Sequence, residues 1–271
     1  MLAIFSVQLG AAIAKGLFEE LGPSGTVFLR VGFAALVLVL IWRPRISGYT
    51  AREYSVAVAF GLALAAMNLS LYLAIDRIPL GVAVTLEFLG PLGVAVAGSR
   101  RTLDLLWAFL AAGGILLLAP LGILGEVDLD PVGVLFALMA GVFWASYIIL
   151  SARTGSVFPG GTGLVIALCL GTVVLLPVGI AGGGYALLDP WLLLAGFGVA
   201  MLSSAIPYSL ELEALRKIPS RVFGVLMSLE PATAALIGFI VLGEQLGIRS
   251  IAAILLVTVA AAGASRFGGR A

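Results

Sequence analysis

The chain has 271 residues, 62% hydrophobic and 11% charged, with a mean hydropathy of +1.20. An ordinary soluble domain is about 45–50% apolar and about 25% charged, so 15 basic and 14 acidic residues could not cover a water-soluble globule of this size. Those values exclude a soluble domain, a disordered chain, a coiled coil and a disulfide scaffold, and the net charge of +1 excludes a nucleic-acid binder working through bulk positive charge. What remains is an all-α integral membrane protein.

The chemistry open to the chain is narrow. There is no histidine and a single cysteine, Cys169, in an apolar run. Histidine acid–base catalysis and a Cys/His zinc site are therefore excluded, and no HExxH, CxxC, Walker A or GxSxG pattern occurs. The sequence offers no enzyme nucleophile beside a base, no metal-ligand cluster and no cofactor motif. Carboxylates, an arginine and tyrosines are the polar side chains left to carry function.

A bilayer core takes about 20 apolar residues per helix. In chain order, the predicted spans are residues 2–18, 25–42, 54–75, 79–98, 103–122, 131–150, 161–181, 190–210, 219–242 and 249–267. Backbone polar groups in lipid must pair within their own segment, so each run reads as a helix. The first has no basic leader and no cleavage site before a polar domain, so it reads as a span rather than a cleavable signal. It is short at its front, which points to a truncated or misplaced start.

Orientation follows from the cations. With the N-terminus inside, the cytoplasmic ends hold Arg43, Arg45, Arg52, Arg100, Arg101, Arg153, Arg216, Lys217, Arg221, Arg266 and Arg270. The outer ends hold only Lys15, Arg77 and Arg249, with an acidic outer loop over Glu126–Asp130. Both termini are expected in the cytoplasm.

Residues 74–98 match 214–238 at an offset of 140. The paired Pro79/Pro219 and Pro91/Pro231 carry the match, supported by Ile78/Ile218, Val82/Val222 and Gly98/Gly238, and Asp104 falls on Glu244. The fourth span then lies over the ninth. Five spans per half is an odd number, so the halves, 1–122 and 131–267, would sit in opposite orientations. Inverted repeats of this kind build many secondary transporters, with the substrate near the midplane between the halves. Chance similarity of two Leu/Ala/Gly-rich helices is the alternative.

An ionisable group inside a span is costly and therefore a functional candidate. Glu87 lies about 12 Å into the fourth span, and Pro91 frees its carbonyl from the helical ladder. Glu230 lies about 16 Å into the ninth, near the midplane, with Pro231 next and Thr233 on the same face. Each could bind an ammonium group or take a proton; a neutral carboxyl bonded to a neighbouring helix is the bland alternative. Arg30, about 9 Å inside the second span, should pair with a protein or substrate carboxylate unless it snorkels to the interface. Asn68 and Tyr72 share one face of the third span at i and i+4. Ser204, Tyr208 and Glu211 form a similar stripe in the eighth, where Pro207 distorts the helix. Interhelical hydrogen bonding explains such stripes equally well. Glu211 is expected to be solvated at its helix end, and Lys15 to snorkel.

These residues fall within a pattern that resembles the drug/metabolite transporter superfamily, in its ten-span EamA branch, and within that the bacterial threonine/homoserine exporter group. The matching stretches are Gln8-Leu-Gly-Ala-Ala-Ile-Ala-Lys15, Phe28-Leu-Arg30, Asn68 to Tyr72, Ile78-Pro-Leu-Gly-Val-Ala-Val-Thr-Leu-Glu87-Phe-Leu-Gly-Pro91 and Ser99-Arg-Arg101. In the second half they are Trp144-Ala-Ser-Tyr147, Pro207-Tyr-Ser-Leu-Glu211, Met227-Ser-Leu-Glu230-Pro-Ala232 and Leu242-Gly-Glu244. The resemblance covers essentially the whole chain. It implies ten helices in two inverted halves around a central cavity, and a proton-driven exporter of small metabolites such as amino acids in the plasma membrane. Its partners would be an amino acid-like substrate, protons and the lipid bilayer, with no nucleic acid; a homodimer is left open. Glu87, Glu230, Arg30, Asn68, Tyr72 and Tyr208 are the expected substrate and proton site. Two alternatives stay open: a transporter of drugs, purines or activated sugars, and a non-transporting membrane scaffold.

Overall fold

The computed structural model describes residues 1–44, 47–97, 102–118, 129–217, 223 and 226–267. Among them there is no strand; the chain runs through α1 (Leu2–Lys15), α2 (Phe18–Trp42), α3 (Ala51–Ile75), α4 (Leu80–Glu87), α5 (Leu89–Ala97) and α6 (Thr102–Leu118). It continues through α7 (Pro131–Val157), α8 (Thr162–Gly183), α9 (Pro190–Ala200), α10 (Ile206–Lys217), α11 (Glu230–Leu242) and α12 (Ile248–Phe267). Several features of the sequence lie outside the described residues: Arg45, Arg100, Arg101, Arg221, Arg270, Ile218, Pro219, Val222, Gly98, the loop from Glu126 to Asp128, and the side chains of Asp104, Arg216 and Lys217.

Helix ends follow local chemistry. Thr50 and Glu53 form a capping box at the start of α3, with the Thr50 N–H donating to Glu53 Oε2 at 2.6 Å. Asp130 caps α7 by accepting from the Val132 N–H at 2.8 Å, ahead of Pro131. It also pairs with Arg77 at 2.8 Å across the gap from α3 to α7. The Arg77 hydrogen bond, then the Val132 amide, hold the Asp130 carboxyl below its ordinary range. Asp189 caps α9 in the same way, ahead of Pro190.

Several predicted spans are interrupted. α2 starts earlier than expected, at Phe18, and turns at Gly22 (φ 64°) before Pro23, a backbone conformation that glycine reaches without a Cβ penalty. The fourth span breaks at Phe88 into α4 and α5. A π-helical turn over Met201–Ala205 separates α9 from α10 just before Pro207, whose ring denies the ladder a donor. Sequence spacing places Glu230 in the middle of a continuous helix. It is instead the first residue of α11, after a turn at Ser228–Leu229, because Pro231 has no N–H to extend an earlier helix.

Among the described residues, five helical stretches are long and apolar enough to cross a membrane: Phe18–Trp42, Ala51–Ile75, Pro131–Val157, Thr162–Leu188 and Pro190–Glu211; Leu2–Lys15, Leu80–Val94, Glu230–Leu242 and Ile248–Ala264 are shorter apolar helices. Large apolar side chains such as Phe109, Val142, Val173 and Phe239 are exposed, while Gln8, Arg30, Asn68, Thr85, Glu87, Ser203, Ser204 and Glu230 are buried. This inversion of the soluble pattern is what a hydrocarbon solvent demands.

Small residues bring the inner helices together. At Gly81 of α4 an added Cβ would stand 2.6 Å from Cα of Ala235 on α11, so the two backbones touch. At Gly141 of α7 it would meet the Glu87 carbonyl at 2.8 Å, which closes α7 over the break between α4 and α5.

Candidate functional site

The helix breaks converge on one cavity of about 480 Å³, within the size range of small-ligand sites. Arg30 of α2, Asn68 of α3, Glu87 of α4, Tyr208 of α10 and Glu230 of α11 all line it. Five of the six side chains singled out by sequence therefore face the same space, although they come from five helices. The sixth, Tyr72, is fully buried beneath Arg30 and serves as its floor.

Arg30 is 6% exposed, so it does not snorkel. Among the described residues no carboxylate lies within ion-pairing distance of it, so of the two expected partners, a protein or a substrate carboxylate, the protein one is not found. Its Nε donates to Ser204 Oγ at 3.1 Å and its Nη2 to the Ser203 carbonyl at 3.1 Å. Its Cζ lies 5.3 Å from the centroid of the Tyr72 ring, a cation–π contact. The π-helical turn explains this arrangement, because it presents a backbone carbonyl and a hydroxyl to the same guanidinium. A cation held only by neutral groups keeps its charge available to an anion entering the cavity.

Three carboxyl groups share the cavity with that arginine. Glu87 is 4% exposed at the end of α4. Glu230 is 6% exposed at the start of α11; among the described residues its Oε2 has no hydrogen-bond partner, and Gln8 of α1 lies beside it. Glu211, expected to be solvated near its helix end, is the third: it is partly exposed and lines the cavity. Thr233, placed by spacing on the Glu230 face, turns instead to its own helix and donates to the Leu229 carbonyl at 2.9 Å. Asn68 does the same, with Nδ2 donating to the Leu64 carbonyl at 2.8 Å, so it bonds within α3 and not across helices.

Sequence reasoning did not select Trp144, Tyr147 or Ser203, which also line the cavity. Trp144 and Tyr147 are one turn apart on α7, a spacing that marks a shared face but not which side of the helix turns inward. Trp144 packs edge-on against Phe88 at the break after Glu87, with ring centroids 5.3 Å apart. Among the described residues no cluster of groups suited to a metal ion occurs.

A helical membrane protein with one fixed cation and several carboxyl groups around a small-molecule cavity has the form of a transporter. The model of the EamA-like transporter family matches residues 131–266. The threonine/homoserine exporter RhtA of Salmonella typhimurium (strain LT2) is 40% identical over 266 residues, covering 98% of this chain and 89% of the exporter. The protein of the same name from Escherichia coli (strain K12) is 40% identical over 247 residues, covering 91% and 83%. One crystal structure of another protein superposes with a TM-score of 0.62 at 18% identity, covering 98% of this chain and 96% of its own, which establishes likeness of fold. The chain belongs to the EamA-like transporter family and is a multi-pass membrane protein.

Proposed function

We propose that this protein exports small zwitterionic amino acids of the threonine/homoserine type across the plasma membrane by alternating access, driven by proton entry. The relatives' exporter names support the substrate class. The observation that carries the chemistry is Arg30, buried, cationic and without a carboxylate partner among the described residues, facing the same cavity as Glu87, Glu211 and Glu230. A substrate carboxylate docks on Arg30 and its ammonium group on Glu87 or Glu230. Asn68, Tyr72 and Tyr208 shape the space between them, Tyr72 through its hold on Arg30. A proton taken by one of the carboxyl groups displaces the ammonium group, which couples the two fluxes.

The same proposal includes ten spans in two inverted halves, 1–122 and 131–267, with both termini cytoplasmic. Helix packing supports it: α2 rests on α8, α4 on α11 and α6 on α12, each on its counterpart in a five-span repeat. The contact of α3 with α7 is likewise answered by that of α1 with the α9–α10 stretch. Convergence of buried polar groups on a cavity counts against a scaffold, whose polar side chains would have no common focus. A second reading, a larger apolar substrate, draws on the cavity walls Met67, Phe88, Trp144 and Met227. Counterflow of labelled threonine and homoserine in proteoliposomes separates the two. Saturable exchange of both amino acids is the expected result; exchange of neither, with binding of hydrophobic dyes, would overturn the amino-acid assignment.

A further inference from the structure

Lys15 was expected to reach the membrane interface alone. It instead pairs with Glu244 at 2.8 Å, and the second oxygen of Glu244 accepts from the Leu80 backbone N–H at 2.8 Å. One carboxylate thus ties together the end of α1, the start of α4 and the turn that follows α11. Its position is held by the turn at Gly243 (φ 66°) and by the Glu244 N–H donating to the Gly238 carbonyl at 3.1 Å. Proline at position 79 leaves the Leu80 amide as the first donor of α4, and an acidic side chain there also favours the helix dipole.

The two helices joined in this way are the ones whose far ends carry the cavity carboxylates. α4 runs from Leu80, at the ion pair, to Glu87, in the cavity. α11 runs from Glu230, in the cavity, to Leu242, next to the ion pair. They touch through Gly81 and Ala235. Between the two ends, Leu80, Val82, Ala83 and Leu86 on α4 and Ala234 and Ile237 on α11 are at most 3% exposed, and none of them lines the cavity. This side of the cavity is a packed apolar plug. On the opposite side the lining reaches Ser151, Glu211, Phe223 and Met227, and the last three also line a second cavity at the start of α1.

We infer that Lys15, Glu244 and the Leu80 amide form the lock that closes the outer end of the transport path. This rests on the exporter proposal for its direction, with the Lys15 end facing outside. One carboxylate serves a cation on α1 and an amide on α4, so moving α4 away from α11 strips the Leu80 amide from Glu244, and full opening also needs Lys15 released. In the lock, Lys15 and Glu244 are positioning residues that set which face of the membrane the cavity meets. They do not contact the substrate.

The test is side-specific labelling of the intact protein, which needs no substrate and so stands apart from the exporter assignment. With Cys169→Ala as background, Leu71→Cys places a reporter thiol in the cavity. An impermeant maleimide is then applied to vesicles of each orientation. Lys15→Gln and Glu244→Gln should each raise labelling from the Lys15 side by about tenfold or more, as expected for a lost part-buried ion pair. Lys15→Arg, which keeps the pair, should stay within about twofold of the background. Unchanged labelling from that side in folded Lys15→Gln and Glu244→Gln proteins would overturn the lock. So would failure of both to fold while Lys15→Arg folds, since that would assign the cluster to stability alone.

Discussion

Arg30 has a planar, forked cation held at two edges and one face, by Ser204, the Ser203 carbonyl and the Tyr72 ring. Lysine carries the same charge but has neither the fork nor the stacking plane. Arg30→Lys should therefore raise the KM for threonine exchange by about 10- to 100-fold, the cost of a lost charge-assisted contact. The measurement is initial counterflow rate against substrate concentration, and an unchanged KM would remove Arg30 from substrate binding. The candidacy of Arg30, Glu87 and Glu230 was legible in the sequence because an ion within an apolar run stands out on charge alone. Their partners were not. The hydroxyl and carbonyl that hold Arg30 belong to a π-helical turn 173–174 residues away in sequence, and periodicity within one helix carries no information about such contacts. Lys15 shows the same limit, since its partner Glu244 is 229 residues distant.

Among the helices, prolines and small residues decide where the functional groups sit. Pro91 and Pro231 mark the two breaks that bring Glu87 and Glu230 to helix ends. The prolines were visible, but the break after Glu87 and the one before Glu230 fall on opposite sides of the carboxylates, an asymmetry that the paired prolines alone do not foretell. Where backbones touch, added volume must move a helix. Gly81→Ala places a methyl 2.6 Å from the Ala235 Cα and should destabilise the protein by about 1–3 kcal/mol. Gly93→Ala, on α5 with nothing within 4 Å of the new Cβ, should be neutral or stabilising by about 0.4–1 kcal/mol through the unfolded chain. Thermal unfolding in detergent ranks the two; equal melting temperatures would contradict direct contact of α4 and α11.

Across the whole molecule, the scarcity of charge excluded a soluble protein and then isolated a few charged side chains that line one cavity. Apolar side chains face outward, polar ones converge on the cavity, and packed residues of α4 and α11 lie between that cavity and Glu244. Proton entry in exchange for an amino acid is the central claim, and efflux under an imposed pH gradient tests it most directly. Proteoliposomes loaded with labelled threonine and made acid on the outside should lose it faster than those without a gradient. Glu87→Gln or Glu230→Gln should abolish that acceleration. Efflux indifferent to the gradient in the wild-type protein, or full acceleration in both glutamine variants, would contradict proton coupling through the cavity carboxylates.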